Sequence, residues 1–343
     1  MVILIDVLFS SPLSVFSSVL TLCVIFVNGL TDAPNAVSTV ISTRCLGLRP
    51  ALFMSAVFNF LGVSVMSALN NSVTLTVSNI VDFGDDAYSA SVALSAALFA
   101  IVFWAIIAWY FGIPTSESHA LIAGLTGSAV AINSGFGGVN ANEWLKAVKG
   151  LGVSCAFGFF AGFLMCRIIV AVFRNVKRSK AESFFKYSQI FAAASMSFMH
   201  GAQDGQKFIA VLMLCSSFSG GATASGGNTY IIALCSFVMA LGTLVGGKKI
   251  IKSVGMDMVR LEKFQGFSAD LSASLALLLS TVWGFPVSTT HAKTTAMMGA
   301  GAAVDRRSIN GAVIKDILLT WVLTFPGCAL LGFFATKVFL KLF

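Results

Sequence analysis

Two aspartates stand deep in otherwise apolar stretches. Asp32 sits in Asn28-Gly29-Leu30-Thr31-Asp32-Ala33-Pro34-Asn35-Ala36, and Asp204 in His200-Gly201-Ala202-Gln203-Asp204-Gly205-Gln206-Lys207-Phe208. A charge at bilayer depth costs at least about 2.5–3.5 kcal/mol on insertion scales, so a carboxylate kept there lines a cavity and serves an ion or a proton. The structural alternative is a helix-capping aspartate at a loop; the symmetry of the two copies argues for function. Asn28, Gly29 and Pro34 surround the first aspartate, Gly201 and Gly205 the second. Gly and Pro weaken the helical ladder, which predicts a broken helix at each aspartate. Freed carbonyls beside a carboxylate suit a hard cation such as Na+, and freed amides at a half-helix N-terminus suit an anion.

A second pair of motifs carries hydroxyls. Gly112-Ile113-Pro114-Thr115-Ser116-Glu117-Ser118-His119-Ala120 matches Gly284-Phe285-Pro286-Val287-Ser288-Thr289-Thr290-His291-Ala292. Thr115, Ser116, Ser118, Ser288, Thr289 and Thr290 both donate and accept, so they suit a tetrahedral oxyanion and also Na+. The same residues are placed to cap the helix that follows each proline. Lys207 aligns with Asn35 and, beside Asp204, points to an anionic substrate; the plainer reading is an ion pair with Asp204. His119 and His291 are expected to be structural first and proton-handling second. Glu117 aligns with Thr289 and has no acidic counterpart, which suits neutralising Lys207 or joining a cation site. Lys293 aligns with Leu121 and receives no role.

These residues require membrane helices to position them. Of the 343 residues, 57% are hydrophobic and 10% charged, against about 25% charged in a soluble domain. Apolar stretches recur near the spanning length of about 20 residues, as at 51–69, 90–111 and 150–173. The fold class is therefore an all-α polytopic membrane protein in a lipid bilayer. The net charge of +8 orients loops and does not mark a nucleic-acid binder. The seven cysteines include no C-x-x-C pair, so neither a disulfide framework nor a zinc site is indicated. The first basic residue is Arg44, so the stretch from Leu13 reads as a retained helix and not a signal peptide.

Gly29 and Asp32 recur at Gly201 and Asp204, and both hairpin motifs recur at the same offset of 172 positions. The chain reads as a tandem duplication: a first repeat at 1–175, a basic cytoplasmic linker at 176–185 and a second repeat at 186–343. If the Pro-Ser-His motifs are tips of re-entrant helical hairpins, each repeat has a broken helix, full transmembrane helices and a hairpin. Each repeat then crosses an odd number of times, so the second is inverted. Placing both termini outside gathers Arg44, Arg49, Arg174, Lys177, Arg178, Lys180, Lys186, Lys248, Lys249, Lys252, Arg260, Lys263, Arg306, Arg307 and Lys315 inside, and leaves Lys146, Lys149, Lys337 and Lys341 outside. That distribution satisfies the positive-inside rule. Inverted repeats with broken helices are the pattern of secondary transporters that bind at the bilayer midplane.

At these motifs the chain resembles the inorganic phosphate transporter (PiT) family, whose halves carry N-G-x-x-D-x-x-N-A and H-G-A-N-D-G-Q-K signatures. Here they read Asn28-Gly29, Asp32, Asn35-Ala36 and His200-Gly201-Ala202-Gln203-Asp204-Gly205-Gln206-Lys207; Gln203 stands where the family usually has Asn. The Pro-x-Ser-x-x-His hairpins also look like the family's. The resemblance implies uptake of inorganic phosphate coupled to Na+ or H+, with no catalytic residue and no cofactor beyond the coupling ion. It implies cation coupling at Asp32 and Asp204, with Asn28, Asn35 and Gln203 beside them. It implies substrate contact at Thr115, Ser116, Ser118, Ser288, Thr289 and Thr290, with Lys207 and Gln206. His119, His200, His291 and Glu117 are then the proton-handling or structural set, and a homodimer is one expected assembly. A sulfate permease of the same fold is the runner-up. An intramembrane aspartyl protease also needs two membrane aspartates, but its G-x-G-D context is missing and the hydroxyl hairpins would have no task. A divalent-metal transporter is disfavoured by Lys207.

Overall fold

Several helices begin where a side chain satisfies the first free amides. Ser11 accepts from Ser14 N ahead of Pro12, which has no amide hydrogen to satisfy. They open α1 (Pro12–Thr31), followed by α2 (Ala33–Ser42), α3 (Leu48–Leu69), α4 (Ser72–Ser78), α5 (Ala87–Phe111), α6 (Glu117–Ile132) and α7 (Ala141–Phe173). Then come α8 (Arg178–Phe218), α9 (Thr229–Val245), α10 (Lys248–Lys252) with a π-helical turn at Ser253–Met258, α11 (Lys263–Val282), α12 (Thr289–Val304) and α13 (Gly311–Leu342). This is a computed structural model describing residues 11–111, 115–218, 229–305, 307 and 309–343. Gly112, Ile113, Pro114 and Arg306 lie outside the described residues. Among the described residues the only β pairing is two isolated bridges, Val81 with Val139 and Val259 with Ile309.

The caps recur in the two halves. Ser116 opens α6 by accepting from His119 N, and Ser288 opens α12 by accepting from His291 N. Both hairpin helices run 16 residues, and their first residues are 172 positions apart. Asn140 and Asn310 cap α7 and α13, each accepting two amides of the first turn. The expectation that the hairpin serines cap helices holds at Ser116 and Ser288.

The bundle is all-helical and membrane-length. Among the described residues, spans 12–42, 48–69, 87–111, 141–173 and 311–342 are long and apolar enough to cross a bilayer, and α9 with the segment to Met258 is a bent pair of the composition of a broken span or a re-entrant loop. Packing is crossed between halves: α6 lies along α13 and α12 along α7, while α1 lies against α9 and α8 against α3. The apolar windows of α7 and α13 are only 22% and 28% buried, so Phe160, Val322 and Phe334 on these helices face outward. That is the surface lipid must cover. The polar face of the bundle is inside, the reverse of a soluble protein.

One expectation fails. α8 runs unbroken from Arg178 to Phe218 through Asp204, so the second copy has no broken helix there. Gly201 and Gly205 keep their amide hydrogens, whereas Pro34 has none to give. Only in the first copy is the ladder interrupted, by a single turn residue at Asp32. The glycines serve packing: a Cβ on Gly201 would meet the Asn59 backbone, with Asn59 Cα 2.9 Å away, and a Cβ on its match Gly29 would meet Thr243 N at 2.9 Å. The sharp bend of the second half lies instead between α9 and α10, at 68°, where Gly246 takes a left-handed φ of 63°. Residues 178–185, expected in the linker, form the first turns of α8, and the halves are joined by the short turn at 174–177.

Candidate ion and substrate site

The hairpin tips and the two aspartates meet in one buried polar cluster. α6 and α12 approach at their N-terminal ends, where the ring centroids of His119 and His291 are 4.3 Å apart and perpendicular. These residues are 172 positions apart, so matched residues touch each other at the centre of the molecule. His119 also stacks on Phe325, and His291 on Trp321 at 3.4 Å. Their surroundings are aromatic, in keeping with the structural reading.

Asp32, at the turn between α1 and α2, accepts from Thr290 Oγ1 at 3.0 Å, and Thr290 accepts from Asn35 Nδ2 at 3.1 Å. Thr31 Oγ1 donates to Glu117 Oε1. Asp204 is held from four sides. Lys207 Nζ meets its Oδ1 at 2.6 Å; Asn28 Nδ2 at 3.3 Å, Thr289 Oγ1 at 3.1 Å and His200 Nε2 at 3.3 Å meet its Oδ2. His200 Nδ1 is 2.8 Å from Asn59 Oδ1. One ligand atom each from Asp32, His200 and Asp204 lie within 4.8 Å of one another. Asp32, Asp204, Glu117 and Lys207 are all at most 3% exposed. Among the described residues the cluster thus holds three buried carboxylates and one lysine ammonium, which pairs with Asp204, and His200 lies beside the same aspartate.

The unsatisfied atoms are unevenly placed. Asn28 Oδ1, Asp32 Oδ2, Asn35 Oδ1 and Glu117 Oε2 are buried oxygens without a hydrogen-bond partner, while neither Asp204 oxygen is left so. All four are acceptors, and an acceptor in a dry site is satisfied by a donor or by a hard cation. These four atoms are all oxygens, which fits Na+ better than a soft metal, and His200 Nε2, in the group with Asp32 and Asp204, is a nitrogen without a hydrogen-bond partner beside them.

The other expected residues divide. Ser118 accepts from Lys207 Nζ at 2.6 Å, and Lys207 also reaches Val287 O at 2.5 Å, at the tip of the other hairpin. All three ammonium hydrogens therefore have acceptors in this structure. Thr115 is buried beside Ser116, and Ser116 and Ser288 are committed as caps. Gln203 leaves the aspartates and reaches Phe285 O at 2.7 Å and Thr281 Oγ1 at 2.5 Å. Gln206 also turns away: its Oε1 accepts from Val73 N at the start of α4. Both glutamines sit on faces of α8 that do not point at Asp204.

A second charged cluster escaped sequence reading. Lys293 on α12 pairs with Asp270 on α11, both 0% exposed. Lys293 Nζ also donates to Thr39 Oγ1 at 2.9 Å, Thr39 donates to Asp270 Oδ2 at 2.6 Å, and Gln189 Nε2 donates to the same oxygen at 2.8 Å. The available signal was that both charges replace leucines, since Leu98 and Leu121 occupy the matched positions of the first half. Thr290 and Lys293 lie one turn apart on α12 and bind Asn35 and Thr39 one turn apart on α2. The ion pair therefore braces α2, the short helix that follows Asp32 and carries Asn35.

A polytopic helical bundle with charges buried at its centre has the architecture of a membrane transporter. The chain belongs to the phosphate transporter family, whose sequence profile matches residues 28–332. It is 34% identical over 308 residues to a probable low-affinity inorganic phosphate transporter of Bacillus subtilis, covering 90% of this chain and 91% of that one. A protein of the same description from Rhizobium meliloti is 33% identical over 330 residues, covering 95% and 96%. A solved structure described as the sodium-dependent phosphate transporter has the same fold, with a TM-score of 0.85, 22% identity and coverage of 97% and 100%. The chain is thus a transporter, not an enzyme, and a multi-pass membrane protein.

Proposed function

We propose that this protein imports inorganic phosphate together with Na+ by alternating access, through two repeats, 1–175 and 186–343, of opposite orientation in the membrane. The observation that carries the reading is the set of partnerless buried oxygens on Asn28, Asp32, Asn35 and Glu117, in a cluster with Asp204 and one ammonium. A site with that excess of negative charge repels phosphate until a cation enters, so the cation binds first. The cation satisfies Asp32, Asn28, Asn35 and Glu117, and Thr290 passes its presence from Asp32 to the α12 hairpin. The hydroxyls of Ser116, Ser118, Ser288, Thr289 and Thr290, with the amides at the starts of α6 and α12, then hold the oxyanion. The crossed packing of the halves and the matched caps support the repeat assignment, and the loop charges support termini outside.

The energetics require coupling. An inside-negative potential opposes entry of each negative charge by about 2.3 kcal/mol per 100 mV, and one cotransported monovalent cation cancels one such charge. Phosphate tracer uptake into proteoliposomes under imposed Na+ or H+ gradients tests the reading. Asp32→Asn is expected to abolish cation-driven uptake with expression and monodispersity intact. Full cation-driven uptake by that variant, or uptake of sulfate undiminished by excess phosphate, would reject the assignment.

A further inference from the structure

A cavity of about 550 Å3 lies away from the polar cluster, where the two halves are joined. Its walls come from the ends of α2 and α7, the turn at 174–177 and the starts of α8 and α11. Ser42 ends the membrane-length span 12–42 and Phe173 ends the span 141–173, so the cavity sits at a bilayer boundary. Arg44, Arg174, Arg178 and Lys263 face it, against the carboxylates of Glu182 and Glu262. Glu182 is held by Arg178 Nε at 3.0 Å, and the Glu262 side chain is occupied in capping α11. Among the described residues, Arg44, Arg174 and Lys263 have no ion-pair partner. The backbone at Arg44 is left-handed, with φ 58°, at a position after a helix where glycine sits without strain and a larger side chain does not. A charged side chain kept there argues for a task. The floor is aromatic: Phe185 packs on Phe173 with ring centroids 4.8 Å apart and on Phe264 at 6.1 Å. Val170 carries the lining onto the outward face of α7, where it is 42% exposed and Val172 66%.

We propose that this cavity binds an anionic phospholipid, with the headgroup phosphate on Arg44, Arg174 and Lys263 and the acyl chains along Val170 and Val172 of α7. In the orientation proposed above this is the cytoplasmic boundary, where each Lys or Arg close to the surface strengthens attraction to anionic headgroups about fivefold. The long arms of arginine and lysine reach the headgroup level from the ends of membrane spans. A soluble phosphate compound would meet the same charges but leave the apolar wall uncovered. The lipid joins the end of α2, in the first half, to the start of α11, in the second, and so stabilises the seam between them. The site is separate from the central cluster and does not depend on which ions that cluster holds.

The test titrates the purified full chain in detergent micelles with phosphatidylglycerol or with zwitterionic phosphatidylcholine. The readouts are the melting temperature and the lipid retained in native mass spectrometry. Phosphatidylglycerol should stabilise the wild type at concentrations at least about tenfold below those of phosphatidylcholine. Arg174→Gln and Arg44→Asn, the latter with a side chain that tolerates the left-handed backbone, should each raise the half-maximal phosphatidylglycerol concentration about fivefold, and together about twenty-five-fold. Glu182→Gln removes an acid and frees Arg178, so it should lower that concentration about fivefold; this gain keeps the test decisive if a loss variant folds poorly. Lys186→Gln, exposed on α8 outside the cavity, should change nothing. An equal response to the two lipids overturns the proposal. So does a phosphatidylglycerol response that neither the double variant nor Glu182→Gln alters, or one that Lys186→Gln weakens as much as Arg174→Gln does, which would mark a general surface attraction. Inorganic phosphate or glycerol phosphate matching phosphatidylglycerol on the wild type, and losing its effect in the double variant, would make the occupant a soluble phosphate and overturn the assignment to lipid.

Discussion

The pair Asp270–Lys293 offers the sharpest test of how this bundle carries charge in its interior. Lys293→Leu removes the ammonium and leaves the Asp270 carboxylate, at 0% exposure, with only Thr39 Oγ1 and Gln189 Nε2 as donors. Breaking a buried ion pair costs about 3–5 kcal/mol, because the surviving charge stays in a dry environment. Asp270→Leu strands the ammonium with Thr39 Oγ1 and the more distant Ala36 O and costs a similar amount. The double variant Asp270→Leu/Lys293→Leu installs the residues of the matched half and removes both charges. Its residual cost is the lost acceptor of Gln189, about 1–3 kcal/mol, since the Thr39 hydroxyl can turn to a carbonyl of the preceding turn. The double variant should therefore be more stable than either single one, with a coupling energy of at least about 3 kcal/mol. Unfolding in mixed micelles, followed by circular dichroism on all four proteins, measures the cycle. Additive losses would refute the idea that the two charges compensate each other in this core.

Thr290→Val removes the hydroxyl that donates to Asp32 and accepts from Asn35; at about 1 kcal/mol for each of the two hydrogen bonds it should raise the cation concentration for half-maximal uptake roughly thirtyfold. Gly201→Ala drives a Cβ into the Asn59 backbone and should destabilise by about 1–3 kcal/mol, read as a lower melting temperature in detergent; an unchanged value would show that α3 and α8 can separate freely. Asp86, exposed ahead of α5, is held below the usual carboxylate range by the Ser89 hydroxyl and amide and the Tyr88 amide. Its lowered value means that its contribution is present above about pH 4 and is lost as pH falls through the folded-state value. Asp86→Ala should accordingly lower thermal stability at neutral pH, and its difference from wild type should shrink in acid.

Much of the site was legible because the chain repeats itself. The offset of 172 picked out Asp32 with Asp204 and Ser116 with Ser288, and α6 and α12 begin at residues separated by that offset. Proline and glycine were read alike as helix breakers, which was wrong at Asp204. Proline removes a donor chemically, whereas glycine merely permits a break and in this bundle is used for close packing. Gln203 and Gln206 stood in the right motif but on the wrong helical faces, and a periodicity of 3.6 residues does not say which face a neighbour will cover.

By itself the sequence determined the membrane class, the motifs shared at one offset, the aspartates within apolar stretches and the serine caps of α6 and α12, since each depends on local composition or on an offset within one chain. Only the tertiary structure decided which charges meet. Asp270 and Lys293 lie on separate helices, and their pairing depends on how α11, α12 and α2 pack. The sequence left Lys207 between an anion contact and an ion pair with Asp204, and the structure places its three hydrogens on Asp204, Ser118 and Val287. Whether a buried charge is a binding site or a counter-charge depends on which acceptors surround it in space. That arrangement is set by packing between residues far apart in the chain, and no spacing along the chain records it.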